Sequence, residues 1–200
     1  MPASRLHHST IAMGTDALIG VSPSIQRVRD LVARAAMSDA PVLIVGEAGT
    51  GKELLARAIH VRSARKAGPF VAIDCSSMRE QEVELFGVAM GSGAPSGAIH
   101  SAAGGTLFVD EIAALAVPLQ FRLLLATEGG RARRVGALED EPVDLRIVVA
   151  AHPGRVGRRA DDATRSDVPR LRHDLYRQRN ALVIDVPPLR ERREDVIPLA

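Results

Sequence analysis

Five short apolar runs recur along the chain: "VLIV" at 42–45, "FVAID" at 70–74, "TLFVD" at 106–110, "RIVVAA" at 146–151 and "ALVIDV" at 181–186. Their β-branched, almost unbroken apolar character suits strands covered on both faces, as in a parallel sheet. Longer stretches with helical spacing lie between them. "SPSIQRVRDLVARAAM" offers Ser22 as a cap and Pro23 in the first turn. "KELLARAIHVRSA" follows the first run directly, and "VPLQFRLLLATEGG" has Pro118 near its start and Gly129 and Gly130 at its stop. Strand and helix alternating in this way predict a doubly wound α/β fold.

Two segments break the rhythm. Residues 87–105, "GVAMGSGAPSGAIHSAAGG", are rich in Gly, Ala and Ser and are expected to be mobile or locally extended. Residues 153–170 mix Arg and Asp with Gly and Pro and read as a solvated connection. Residues 1–17 are expected to be a flexible terminus, with 18–200 forming one domain.

Composition narrows the function classes. Aromatic residues are 2% of the chain, which argues against a base-stacking surface for single-stranded nucleic acid. The formal net charge is only +2, so a general DNA-coating role has little support. Six scattered histidines and the single Cys75 have no metal-ligand spacing. One cysteine forms no internal disulfide, and a reducing compartment fits. No run approaches the roughly 18 apolar residues of a membrane span, and the start has no signal-peptide core, so a cytoplasmic location is expected.

The chemistry concentrates at three places. In "VLIVGEAGTGKE" a buried strand runs into a glycine-rich turn and then a helix. Backbone N–H groups of such a turn point inward around phosphate oxygens, and the helix N-terminus adds partial positive charge. Gly46, Glu47, Ala48, Gly49, Thr50, Gly51, Lys52 and Glu53 are therefore the candidate phosphate site, with Lys52 as the cation for the outer phosphates. Glu53 occupies the position where Ser or Thr usually coordinates magnesium; it either reaches the metal through water or faces solvent. In "GGTLFVDEI" an apolar strand ends in Asp110 and Glu111, at the sheet edge where such folds bind ligands. Asp110 is the candidate magnesium (Mg2+) holder, and Glu111 would orient or deprotonate the attacking water. The arginines of "RLRHDLYRQRN", 170–180, read either as a solvated face or as groups reaching a neighbouring subunit's nucleotide.

Taken together these stretches resemble the AAA+ ATPase domain of bacterial sigma-54-dependent transcription activators. "LIGVSPSIQRVRDLV", "GEAGTGKE", "ELFG", "GGTLFVDEI", "RRVG", "DLRIVVAA" and "VPPLRERREDVIPLA" stand in the family's order, from about Leu18 to the last residue. The glutamate after Lys52 is itself a trait of that family. The resemblance implies a three-layer P-loop NTPase fold on a five-stranded parallel sheet, with the helical lid subdomain absent from these residues. It implies ATP and Mg2+ as ligands, Arg172 as an arginine finger acting in trans, a homo-oligomeric ring, and RNA polymerase carrying sigma-54 as partner. No DNA-binding region is expected in this chain.

The departures are specific. The family's gripping loop between "ELFG" and "GGTLF" carries the signature Gly-Ala-Phe-Thr-Gly-Ala. Here the interval is shorter, and its nearest equivalent is "GAPSGA", 93–98, with Pro95 in place of the aromatic tip and Ser96 in place of the threonine. A second alignment places Gly97 in the lead-in to the next strand, with most of the loop missing. Either way the apolar contact to sigma-54 is lost. Asp74 replaces the asparagine that holds the catalytic glutamate, and as a carboxylate it is expected to repel Glu111. Ala151 and His152 replace the sensor's Thr-Asn, and Gln178 stands at the second finger position, flanked by Arg177 and Arg179. Two functions follow: an ATPase that remodels polymerase, or alternatively a nucleotide-binding regulatory module with weak or no turnover that does not engage sigma-54.

Overall fold

The computed structural model describes residues 18–89, 94–157, 171–172 and 181–199. Helix α1, Pro23–Ala36, starts where Ser22 Oγ accepts a hydrogen bond from Ile25 N at 3.3 Å. Its buried residues Ile25, Val28, Val32 and Ala35 recur at the three-to-four spacing of one helix face. Strand β1 is Val42–Gly46, α2 is Lys52–Arg62 and β2 is Phe70–Asp74. The short helices α3, Gln81–Phe86, and α4, Ala98–Ser101, lead to strand β3, Thr106–Asp110. Helix α5, Val117–Gly129, is followed by a two-residue hairpin, β4 Arg131–Ala132 with β5 Glu141–Pro142. Strand β6 is Arg146–Ala151; β7, Val156–Gly157, pairs in parallel with β8, Leu171–Arg172; and β9 is Leu182–Val186.

The main sheet has the order β2-β3-β6-β1-β9, all pairings parallel. Leaving β1, the chain crosses to the far edge at β2, works back through β3 and β6, and ends at β9 on the other side of β1. Ligands in open α/β sheets bind at the carboxyl ends of strands where the winding reverses, which puts the C-terminal end of β1 in focus.

Side chains alternate across the sheet with the strand period of two. Leu43, Val45, Leu107, Val109, Ile147 and Val149 face one core with Leu85, Phe86, Ile99, Leu123 and Leu124. Val42, Ile44, Phe108, Val148, Ala150 and Ile184 face the other, packed on α1 and α2 through Val28, Val32, Leu55 and Ile59. The result is the expected three-layer α/β arrangement on a five-stranded parallel sheet. Among the described residues no helix is long and apolar enough to cross a membrane.

One expectation is corrected in part. Where described, the stretch 87–105 includes a packed helical turn and a close approach of two backbones. A Cβ on Gly97 would lie 2.3 Å from Gly87 N, and one on Gly87 would lie 2.5 Å from Ser96 O, so the chain leaves and returns at a single pinch. Beyond it Gly97 opens α4, which buries Ala98 and Ile99. The glycines serve close backbone approach here, and the small apolar residues among them supply a packed helical turn.

Candidate nucleotide-binding site

The site is built where β1 gives way to α2. The turn closes on itself: Thr50 N and Thr50 Oγ1 both donate to Glu47 O, at 3.3 and 2.8 Å. Gly49 and Gly51 take φ of 77° and 91°, left-handed values that favour glycine. Gly51 stands as the N-cap of α2 and contributes no side-chain cap, so the first N–H groups of the helix are left for a ligand. Lys52 is 6% exposed, and its Nζ donates to Glu47 O at 3.3 Å and lies 3.8 Å from Glu111 Oε1.

β3 delivers the acids opposite the loop. Asp110 Oδ1 accepts from Glu111 N at 2.9 Å. Burial raises the Asp110 pKa above the ordinary carboxylate value; Lys52 and that backbone bond oppose the rise, and the charges of Asp74 and Glu53 add to it. Glu111 is the one described non-glycine residue with positive φ, 48°. This conformation costs about 1 kcal/mol for an L-residue, and the buried Ile112 and Ala113 follow it immediately. Its side chain lies within ion-pair distance of Lys52. Among the described residues, no three His, Cys, Asp or Glu side chains form a metal cluster. A lone half-buried carboxylate beside a phosphate turn is a donor set suited to magnesium, which takes one or two protein oxygens and fills its shell with phosphate and water.

The remaining sequence candidates divide. Glu53 faces outward and pairs with Arg57 one turn along α2, with Oε1 2.7 Å from Nη2. Asp74 sits in register beside Asp110, yet its carboxylate accepts from Ser76 N and Oγ at 2.9 and 2.7 Å. Its charge still acts on the site, adding to the rise in the Asp110 pKa. Ala151 ends β6, and His152 Nδ1 accepts from Gly154 N at 3.2 Å. Arg172 is in β8, its backbone paired with Gly157; its side chain, and Arg177, Gln178 and Arg179, lie outside the described residues, as do residues 1–17.

Sequence reasoning missed the bridge across the other end. A cavity of about 390 Å3 opens beside Glu47–Gly51, walled by Leu18, Ile19, Ile25, Leu54 and Leu189. Arg190 reaches across its mouth and grips Glu47 with two 2.6 Å hydrogen bonds. That bridge holds Glu47 below the usual carboxylate range, chiefly through the hydrogen bond. The two residues are 143 positions apart, and no local pattern links them.

A glycine-rich turn between β1 and α2, acids at the tip of β3, and this strand order together define the fold of a P-loop NTPase of the AAA+ type. Residues 18–185 match the Sigma-54 interaction domain, and the chain belongs to that family. It is 43% identical over 190 residues to the transcriptional regulatory protein ZraR of Klebsiella oxytoca, covering 92% of this chain and 41% of ZraR. It is 40% identical over 191 residues to the transcriptional activator RocR of Bacillus subtilis, covering 92% of this chain and 40% of RocR. The chain thus spans well under half the length of these relatives. Among solved structures, NtrX from Brucella abortus in complex with ADP superposes with a TM-score of 0.76 at 31% identity, covering 90% of this chain and 39% of NtrX. The P-loop NTPase domain of a sigma-54 activator from E. coli shares the fold, with a TM-score of 0.52 at 19% identity over 86% of this chain and 99% of that one.

Proposed function

We propose that this chain binds ATP with magnesium and hydrolyses it, as the motor module of a transcription regulator that assembles into a ring and acts on RNA polymerase carrying sigma-54. One observation carries the reading: buried Lys52, in a phosphate-type turn, faces Glu111 and the neighbouring Asp110 beside an apolar cavity of nucleoside size. Family membership supports it, as do the solved complexes of NtrX with ADP and with ATP.

In this reading the N–H groups of Gly46–Glu53 cradle the phosphates, and Lys52 leaves Glu47 and Glu111 to neutralise the outer ones. Glu111, freed, takes a proton from water as its oxygen forms a bond to the terminal phosphorus. The bond from that phosphorus to the bridging oxygen breaks, and its electrons leave with ADP. Magnesium, when bound, neutralises developing charge on the phosphates, and Asp110 holds it. Arg172 supplies a second cation from a neighbouring copy. Work on RNA polymerase places the protein in the cytoplasm.

The test is phosphate release with ATP and magnesium, compared with Lys52→Ala. Wild-type turnover at least 100-fold above the variant is expected; tight ATP binding with no turnover would remove the motor and leave a binding module. Absence of saturable ATP uptake by folded protein would overturn the site itself. Nucleotide-dependent capture by sigma-54 checks the partner, and failure to capture it would remove that part of the proposal.

A further inference from the structure

Asp195 lies beyond the last sheet strand, and its side chain is fully buried. Oδ1 accepts from Val21 N at 2.6 Å and Ser22 N at 2.8 Å, and Oδ2 accepts from Ser22 Oγ at 2.7 Å. The partners are 173 to 174 residues away. Arg192 Nη1 stands 3.8 Å from Oδ2. Gly20 makes the approach feasible: a Cβ there would fall 2.8 Å from Asp195 Cγ, and its φ is +145°. From the opposite side Arg29 donates to Gly20 O at 2.7 Å and to Leu18 O. Within the segment 18–22, the Val21 and Ser22 N–H groups are thus held by Asp195, and the Leu18 and Gly20 carbonyls by Arg29.

These two held segments form the walls of the apolar end of the cavity. Leu18 and Ile19 come from one, and Leu189, Arg190 and Leu199 from the other. The phosphate turn between β1 and α2 is closed by its own bonds through Glu47 and Thr50 and makes no hydrogen bond to Asp195 among the described residues. The two ends of the site are built by different bonds, one by the turn's own and one by a buried carboxylate joining distant segments, and they meet at the Arg190–Glu47 bridge.

We infer that Asp195 is a positioning residue for nucleoside recognition: it sets the spacing of the walls that grip the base and sugar, and it does not act on the phosphates. This rests on the nucleotide-binding reading above. Three hydrogen bonds to a buried carboxylate give a rigid joint, and an amide in its place keeps a single acceptor oxygen, loses the charge, and turns an NH2 group toward Ser22 Oγ and Arg192.

The experiment compares dissociation constants for ATP and for inorganic tripolyphosphate, by calorimetric titration with magnesium, in the wild type and in Asp195→Asn. The expected result is about a tenfold weaker ATP constant, with tripolyphosphate changed by less than twofold. A general loss of packing would weaken both together, and an unchanged ratio overturns the inference. If Asp195→Asn does not fold, the same ratio is read on Ser22→Ala, which removes one of the three bonds; a threefold fall confined to ATP supports the role, and an unchanged ratio again overturns it. Wild-type protein that binds neither ligand would instead overturn the nucleotide reading on which it rests.

Discussion

Two glycine-rich segments of this chain have similar composition and opposite uses. In the phosphate turn, a Cβ on Gly49 would meet nothing within 4 Å, and one on Gly51 would meet only Leu54 Cδ1 at 3.8 Å. Those glycines supply left-handed backbone around open space. Around the second segment, a Cβ on Gly105 would fall 1.9 Å from Pro69 O, and one on Gly68 would fall 2.3 Å from Gly104 O. Those glycines let two backbones touch. Neither pattern is exclusive: Gly104 beside the seam also has φ +76° with nothing within 4 Å, and a Cβ on Gly46 in the turn would fall 2.7 Å from Thr50 Oγ1. Composition alone does not separate the two uses, and at Gly49 and Gly105 the neighbours of the missing Cβ do.

The contrast can be broken or sharpened by substitution. The largest effect is expected for Gly105→Ala, whose methyl enters the β2–β3 seam against main-chain atoms with no room to yield; a loss of about 3–5 kcal/mol is expected in denaturant unfolding. Gly49→Ala should lower stability by only about 1 kcal/mol, the strain of a left-handed alanine, while weakening ATP binding clearly in the same preparation. Equal stability losses at the two positions would erase the distinction between ligand space and seam.

A smaller effect, opposite in sign, is expected for Asp110→Asn. Because burial raises the Asp110 pKa, its contribution to stability is fully present below the ordinary carboxylate value and is lost as pH rises through the folded-state value. At neutral pH the ionised group is therefore a burden on the fold. The amide should melt at a higher temperature than wild type at pH 7, with the gain vanishing in acid, and magnesium-dependent turnover should disappear. A lower melting temperature at pH 7 would show that the charge is compensated. The smallest change is expected for Glu53→Ser: loss of an exposed pair with Arg57 should shift stability by no more than about 0.5 kcal/mol, with ATP affinity unchanged.

The sheet was largely legible from the sequence: the central strands β1, β3 and β6, buried on both faces, leave unbroken apolar runs, and the half-buried edge strands β2 and β9 leave apolar runs that end at or include an aspartate. Helices α1 and α5 announced themselves through Pro23 and Pro118 near their starts. The phosphate turn and the acids at 110–111 were equally plain, since each is a local pattern a few residues long. The hairpin of β4 and β5 was not, because two-residue strands carry no periodicity. Nor was α4, whose glycine-rich setting masked the packing of Ala98 and Ile99. Glu47–Arg190 and Asp195–Ser22 join residues more than 140 positions apart, and only the closed fold brings them together. The left-handed turn at Glu111 was likewise silent, because the position carries none of the residues, Gly, Asn or Asp, that mark such a backbone.

The pinch at Gly87 and Gly97 has a consequence for how such a domain can vary. Val88 N donates to Pro95 O at 3.1 Å, and Val135 N donates to Gly87 O at 2.9 Å, so the neck of the excursion is tied off beneath whatever it carries. Lengthening the chain above that neck adds only the slowly growing entropy of a larger loop, roughly 0.6 kcal/mol per doubling. An ancestor could trade a long probe for a stub, or a descendant regain one, while Lys52 and Asp110 below kept their places.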